Sequence, residues 1–194
     1  MRPGRCQSAP ARPFSIRTVY RSELRRLAGM RAALERHLVR FEPRLWRLAP
    51  RRLRAMDRTY ARILADPNHT ILVAVDSRDR PVGMVTVRTL DFPMMDPARV
   101  GRIDDAWVEP RWRRRGVMRT LVHAAADFAR RRGARMMVLD FALKNTVSVE
   151  AWNALGFIPD IAVARVRIPA SKSAHASASR ARQKAKERGS SHNN

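Results

Sequence analysis

Apolar residues recur along this chain with two different periods, and the change of period separates candidate helices from candidate strands. Spacings of three and four residues predict one helix beginning near Ser22 and another running from Pro50 to about Asp66. Short, dense apolar runs predict strands over Phe14–Val19, Thr70–Val75, Val82–Thr89, Arg102–Val108 and Ala134–Ala142, with a last strand region from Phe157 to Ile168. This order predicts an α/β or α+β fold, a sheet flanked by helices with one crossover unit at its centre.

The stretch from Arg102 to Gly133 changes period in its middle. A strand is followed by the basic turn Arg113–Gly116, and a helix begins at Val117. A helix N-terminus carries unpaired N–H groups and a partial positive charge, so it is a ready anion site, and arginines add donors that match phosphate oxygens. Gly116 would let the backbone approach a ligand closely. The alternative is an ordinary solvated loop rich in arginine.

Composition adds a strong positive charge but does not localise it. The 194 residues carry a formal net charge of +23, and 36 of the 40 basic residues are arginine. A field this positive attracts polyanions such as nucleic acid. The arginines are scattered through every segment, however, which favours a general arginine bias over a dedicated nucleic-acid surface.

Several classes of protein are disfavoured by the remaining composition. Cys6 is the single cysteine, so no intramolecular disulfide forms, and no apolar run approaches the length of a membrane span. No cluster of cysteine and histidine suggests a metal site. We therefore expect a cytoplasmic protein without membrane association or metal. We also expect a flexible arm over 1–12, one domain over 13–169 and a disordered basic tail over 170–194, which leaves non-specific polyanion binding open.

Two motifs occur together at a separation that is typical of one enzyme family. The first motif is Arg113–Met118, which is the basic turn together with the first two residues of the helix that follows it. The second is Asn145 followed by a short helix that closes at Leu155–Phe157. Over roughly Phe14–Ile168 the chain resembles the GNAT superfamily of N-acetyltransferases. The resemblance implies a single domain with a mixed, mostly antiparallel twisted sheet. It also implies direct transfer of an acetyl group from acetyl-CoA to a primary amine of a small molecule or peptide, and it leaves a homodimer open.

The resemblance further implies roles for individual residues. Backbone N–H groups of the basic turn would cradle the pyrophosphate of acetyl-CoA, and the end of the central strand would pair with the pantetheine amides where that strand separates from its neighbour. The cofactor-binding residues implied in this way are Trp107, Val108, Arg113, Arg114, Arg115, Gly116, Val117, Met118, Arg119, Asn145 and Trp152.

Two of these positions depart from the family pattern. Met118 stands where the pattern has glycine or alanine, close to the expected phosphates. Trp152 stands where many members have the tyrosine that protonates the leaving thiolate, and an indole N–H cannot act as that acid. Two other functions therefore stay open: an inactive GNAT-like module that binds CoA or a partner, and a nucleic-acid-associated basic protein.

The acceptor amine must lose a proton to attack a thioester, and a carboxylate near the end of the central strand could take it. The candidates are Asp104, Asp105 and Glu109. The Asp104-Asp105 pair resembles the Glu-Asp of diamine acetyltransferases on the same strand. Because neighbouring strand residues face opposite sides, we expect only one of the two in any one cleft. The structural alternative is that these carboxylates pair with arginine or lie at a solvated strand end.

The acceptor itself is expected to lie against the two helices that precede the second strand and against the loop Leu90–Gly101. That loop carries acidic and apolar residues, which suit a cationic amine with a hydrophobic body but are also routine in surface loops. His37, His69 and His123 have no partner that the sequence identifies.

Overall fold

The structure, a computed structural model, describes residues 13–43 and 48–160, so the proposed arm, the tail and most of the last strand region lie outside it. The α-helices are α1 (Leu24–Val39), α2 (Pro50–Arg54), α3 (Met56–Ile63), α4 (Val117–Arg130) and α5 (Thr146–Asn153). The strands are β1 (Phe14–Thr18), β2 (His69–Asp76), β3 (Pro81–Asp91), β4 (Arg99–Val108) and β5 (Met136–Leu139).

The five strands form one sheet in the order β1-β2-β3-β4-β5. The first four are antiparallel neighbours, whereas β5 lies parallel to β4 and is reached through α4. A parallel neighbour requires such a crossover, and α4 supplies it. The expectation of a mixed, mostly antiparallel sheet flanked by helices is therefore confirmed.

The helices cover both faces of the sheet. On one face α4 buries Val117, Leu121 and Ala125, which recur every fourth residue. On the other face α1 and α3 bury a second apolar cluster that includes Leu27 of α1 and Tyr60 of α3. The sheet is thus enclosed over its centre, and β4 has a side chain layer on each face.

Glycine is required where α4 and β5 close on the start of β4. A Cβ added to Gly101 would lie 2.5 Å from the sulfur of Met137 and 2.6 Å from the Cβ of Ala129. Such distances are well inside van der Waals contact, so a larger residue would push the helix or the strand away.

Several predicted boundaries were wrong, among them the strand expected over Ala134–Ala142, which is only Met136–Leu139. The helix expected over 50–66 is two helices, because Ala55 leaves helical geometry (φ −102°, ψ 16°). The hairpin of β3 and β4 extends to Asp91 opposite Arg99, and an ion pair between these two side chains closes its end, so the expected loop shrinks to 92–98. Phe157–Asp160, the described part of the expected last strand, is not in a strand.

Candidate active site

Strands β4 and β5 pair over only four residues and then separate. The register runs from Val100 opposite Met136 to Ile103 opposite Leu139. Past Ile103, β4 continues to pair with β3, but no β5 residue lies opposite it. Within the described residues, one edge of the second half of β4 is therefore left with backbone N–H and C=O groups that no strand pairs with.

A cleft of about 440 Å³ lies beside the end of β4. Residues of α1, of the end of β4 and of the following turn line it: Ala33, Arg36, His37, Arg40, Trp107, Pro110 and Arg113. Trp107 is buried, and within the described part of the chain its indole Nε1 has no hydrogen-bond acceptor. The Arg113 guanidinium lies over the Trp107 ring, 4.8 Å from its centre, and Arg113 Nε donates to the carbonyl oxygen of Val108 at 3.1 Å. The first arginine of the basic turn is thus tied to the end of the strand.

The basic turn bends sharply into α4. Gly116 is the N-cap residue of that helix with φ +78°, a conformation that glycine adopts without a Cβ penalty, and Arg114 also has a positive φ of 59°. Val117 is buried, and the Met118 side chain packs against the same core cluster. Arg114, Arg115 and Arg119 remain exposed at the start of the helix.

Asn145 and Trp152 occupy different surroundings. Asn145 is buried and caps α5, because its side-chain oxygen accepts from the N–H of Ser148 at 3.3 Å, and its amide nitrogen lies 3.3 Å from Nε2 of His37 in the cleft. Trp152 is buried in the core cluster on the α4 face, edge-on to Phe157 with ring centres 5.5 Å apart. Trp152 is therefore a packing residue in this structure, and it does not line the cleft.

A β-bulge places Asp104 and Asp105 on the same face of the sheet. Thr86 lies opposite Asp105 and Val87 lies opposite Ile103. Asp104 is therefore an extra residue whose backbone has no β3 residue opposite it. Asp104 pairs with Arg88 (2.8 Å) and with Arg102 (3.1 Å), whose Cα atoms face each other across the strands. The expectation that only one of the two carboxylates could face a given side was wrong, because the bulge interrupts the alternation.

Asp105 is held by the helices that cover this face. Its Oδ1 lies 2.8 Å from Arg31 Nε of α1, and its Oδ2 accepts from the Tyr60 hydroxyl of α3 at 3.2 Å. Burial raises the pKa of Asp105 above its usual value, while the Arg31 charge and the Tyr60 hydrogen bond oppose that rise. Asp105 therefore combines a raised proton affinity with a fixed orientation.

Glu109 and the hairpin loop stand apart from these groups. Glu109 lies just beyond β4, where its backbone N–H donates to the carbonyl of Val82, and among the described residues its carboxylate has no partner. The loop 92–98 joins the start of β4, roughly 30 Å of strand away from Val108 at ~3.3 Å per residue. The loop does not line this cleft, because its hairpin turns at the opposite end of β4. Its expected place beside the acceptor stays a prediction.

The described residues show neither a metal-binding cluster nor a membrane-spanning helix. No group of three or more histidine, cysteine, aspartate or glutamate residues is arranged to hold a metal ion there. None of the described helices is long and apolar enough to cross a membrane.

The model of the acetyltransferase (GNAT) family matches residues 32–157, which is more than half of the chain. This protein is a member of the GNAT family. The match includes the separating strands, the basic turn and the helix that Asn145 caps.

Relatives of this GNAT protein include enzymes and an uncharacterized protein. An uncharacterized N-acetyltransferase of Methanocaldococcus jannaschii is 30% identical over 78 residues, which cover 40% of this chain and 34% of that relative. The aminoglycoside acetyltransferase AAC(6')-Iy, solved with a bisubstrate analogue, has a TM-score of 0.61 at 21% identity, over 81% of this chain and 99% of the other. AAC(6')-Ih of Acinetobacter baumannii has a TM-score of 0.61 at 18% identity, over 81% and 99%. At these identities the solved structures show the shared fold.

Three residues of this GNAT site escaped prediction from the sequence. Arg31 and Tyr60 reach Asp105 from helices that precede β2, and His37 enters the cleft from α1. All three lie on or near the buried faces of amphipathic helices, where their spacing is that of ordinary packing residues. The one available signal is a charged residue among apolar neighbours, as with Arg31 next to Met30.

Proposed function

We propose that this protein transfers the acetyl group of acetyl-CoA directly to a primary amine of a small molecule or peptide. The observation that carries the proposal is the open edge of β4, which ends beside the Gly116 turn. An extended amide-containing arm can pair with such an edge as an added strand would. The phosphates at its other end would then meet a helix N-terminus and exposed arginines.

The residues at the turn fit the phosphates of acetyl-CoA. A Cβ built on Gly116 would have no atom within 4 Å, so the space in front of the turn is open. The backbone N–H groups of Val117, Met118 and Arg119 begin the helix and have no acceptor within it. The Met118 side chain packs with the core, so methionine at this position is compatible with the site.

In the proposed reaction Asp105 takes the proton that the attacking amine loses, directly or through a water molecule. The amine nitrogen forms a bond to the thioester carbonyl carbon, the carbon–sulfur bond breaks, and CoA departs as a thiolate. Each oxygen of Asp105 accepts one hydrogen bond and keeps a lone pair for the amine proton. Acetyl-CoA supplies the activated acyl group, and it is a co-substrate consumed in each turnover.

The proton that the thiolate gains does not come from Trp152. Its side chain is buried against Phe157, and an indole N–H does not ionise in the range where a thiol forms. A thiolate is a stable leaving group near neutral pH. The proton taken by Asp105 therefore returns to the thiolate through water.

Acetyl-CoA binding at the Gly116 turn is tested by thermal unfolding of the Gly116→Val variant. Acetyl-CoA should raise the melting temperature of the parent protein, since a ligand that binds only the folded state stabilises it. Gly116→Val should abolish that increase, because valine is strained at positive φ and its side chain would fill the approach to the backbone.

Gly29→Val is the matched control. Gly29 lies in α1 with no atom within 4 Å of an added Cβ, so this variant makes the same change away from the turn and should keep the acetyl-CoA response. An unchanged response in Gly116→Val would place acetyl-CoA elsewhere. Release of free CoA thiol with a panel of primary amines tests the transfer, and binding without any release would contradict it.

A further inference from the structure

Among the described residues, the cleft beside the end of β4 is lined by three cationic side chains and by no acidic one. Of its seven lining residues three are arginines, namely Arg36, Arg40 and Arg113. Arg36 lies in the last turn of α1 and Arg40, four residues later, is the C-cap residue with helical φ and ψ, so their side chains leave the helix on the same side. Arg113 faces them from the turn beyond β4.

None of these three arginines is neutralised by a carboxylate within the described residues. Arg40 donates to Nδ1 of His37 at 2.7 Å, and Arg113 donates to a backbone carbonyl. The ion pairs of the described residues instead involve other arginines, such as Arg31 with Asp105 and Arg88 with Asp104. The Asp104 and Asp105 carboxylates of β4 are thus already paired with arginines, whereas Glu109, just beyond β4, has no partner among the described residues and does not line the cleft.

His37 orients one of the cleft arginines without adding charge. Burial lowers the pKa of His37, and the charges of Arg113 and Arg40 lower it further, so the ring is neutral at neutral pH. A neutral ring can accept the hydrogen bond from Arg40, which fixes that guanidinium at the edge of the cleft. The cleft therefore presents two held guanidinium groups, those of Arg40 and Arg113, near the buried Trp107, whose indole N–H has no acceptor among the described residues.

We propose that the acceptor of this enzyme is an acidic amine, one that carries a carboxylate or phosphate group bound by Arg36 and Arg40. This inference rests on the proposed transferase function and names its substrate class. A polycationic amine would meet like charges in this cleft, whereas an anion gains charge-assisted, forked hydrogen bonds. The phosphates of acetyl-CoA have separate donors, because Arg114, Arg115 and Arg119 do not line the cleft.

Matched pairs of amines that differ in one anionic group test this proposal. β-Alanine is compared with ethylamine, phosphoethanolamine with ethanolamine, and kanamycin serves as the polycation. Binding to the full chain in the presence of CoA is measured by ligand-observed NMR, and acetylation is measured by thiol release. The acidic member of at least one pair should bind more tightly, and the better pair identifies carboxylate or phosphate as the anion.

Removal of one guanidinium by Arg36→Gln or Arg40→Gln should weaken that binding about 10-fold or more, with acetyl-CoA affinity unchanged. Arg25→Gln is the matched control, because Arg25 is exposed on the same helix and does not line the cleft. Equal binding within every pair, tighter binding of kanamycin, or loss of acetyl-CoA affinity alone would each overturn the proposal. If ethylamine or kanamycin is acetylated in preference to the acidic amines, the proposed substrate class is wrong but the transferase function stands. If acidic amines bind but are not acetylated, the transferase function is wrong and the binding preference stands.

Discussion

Two sets of arginines lie on the same face of this protein, and they differ in whether a carboxylate pairs with them. Arg31 and Arg88, on the face of the sheet covered by α1 and α3, each contact a carboxylate of the bulge at 2.8 Å. Arg36 and Arg40, farther along α1, have no carboxylate partner among the described residues and are exposed. Arg31 and Arg36 lie on α1 and Arg40 is its C-cap residue, so paired and unpaired arginines occur within ten residues of one helix, whereas Arg88 belongs to β3.

The difference shows that charge in an arginine-rich protein has to be judged by partners and burial. A buried, paired arginine such as Arg31 is fixed and tunes the carboxylate beside it, and removal of either partner leaves an uncompensated charge. An exposed, unpaired arginine contributes little to stability and keeps its donors for a ligand. We therefore expect the two sets to respond differently to the same substitution.

The largest effect is expected from Asp105→Asn. If Asp105 takes the amine proton, the variant should lower kcat/KM by about 10²–10⁴, with little change in acetyl-CoA affinity. Asp104→Asn is the control, because it removes a neighbouring carboxylate that two arginines hold. Steady-state kinetics compares the variants, and an equal loss in both would assign the effect to the charge of the bulge instead of to Asp105.

A second test compares stability across the two sets of arginines. Arg31→Gln leaves Asp105 buried without its cation and should lower the free energy of unfolding by about 3 kcal/mol. Arg36→Gln, on the same helix, should change it by less than about 0.5 kcal/mol. Urea unfolding followed by circular dichroism measures both, and similar values would remove the distinction between the sets.

The pH dependence of activity gives the third and smallest effect. Activity requires ionised Asp105, so it should fall as the pH drops through the raised pKa of that group. Arg31 opposes the rise, so Arg31→Gln should move this acid limb upward by about one to three pH units. The acid limb of Arg36→Gln should stay in place. A raised pKa also means that Asp105 is easier to bury protonated, so its contribution to stability is lost as the pH rises through the same range.

The fold and the strand–turn–helix around Gly116 were predictable because local patterns encode them. The strand, basic turn and helix around Gly116 follow from periodicity, and the turn and Asn145 form motifs at a typical separation. The break at Ala55 and the length of the hairpin were not predictable, since no proline or glycine marks the first and cross-strand pairing decides the second.

The acceptor side was less accessible from the sequence. Arg31, His37 and Tyr60 meet β4 only through tertiary packing of α1 and α3. The shared face of Asp104 and Asp105 depends on a bulge, which has no reliable sequence signal in a strand without glycine at that point. Strict alternation therefore gave the wrong geometry for Asp104 and Asp105, and their catalytic role stays a prediction.

Because of the bulge, Asp104 can be removed without a shift in the pairing of the other β4 residues with β3. No β3 residue lies opposite Asp104. Deletion of its codon would therefore make Ile103 and Asp105 consecutive residues that still lie opposite Val87 and Thr86. Trp107 would keep its place opposite Met84, and the open edge of β4 would keep its neighbours. A single insertion or deletion event could thus add or remove one carboxylate of β4 while the pairing of the remaining strand residues stays unchanged.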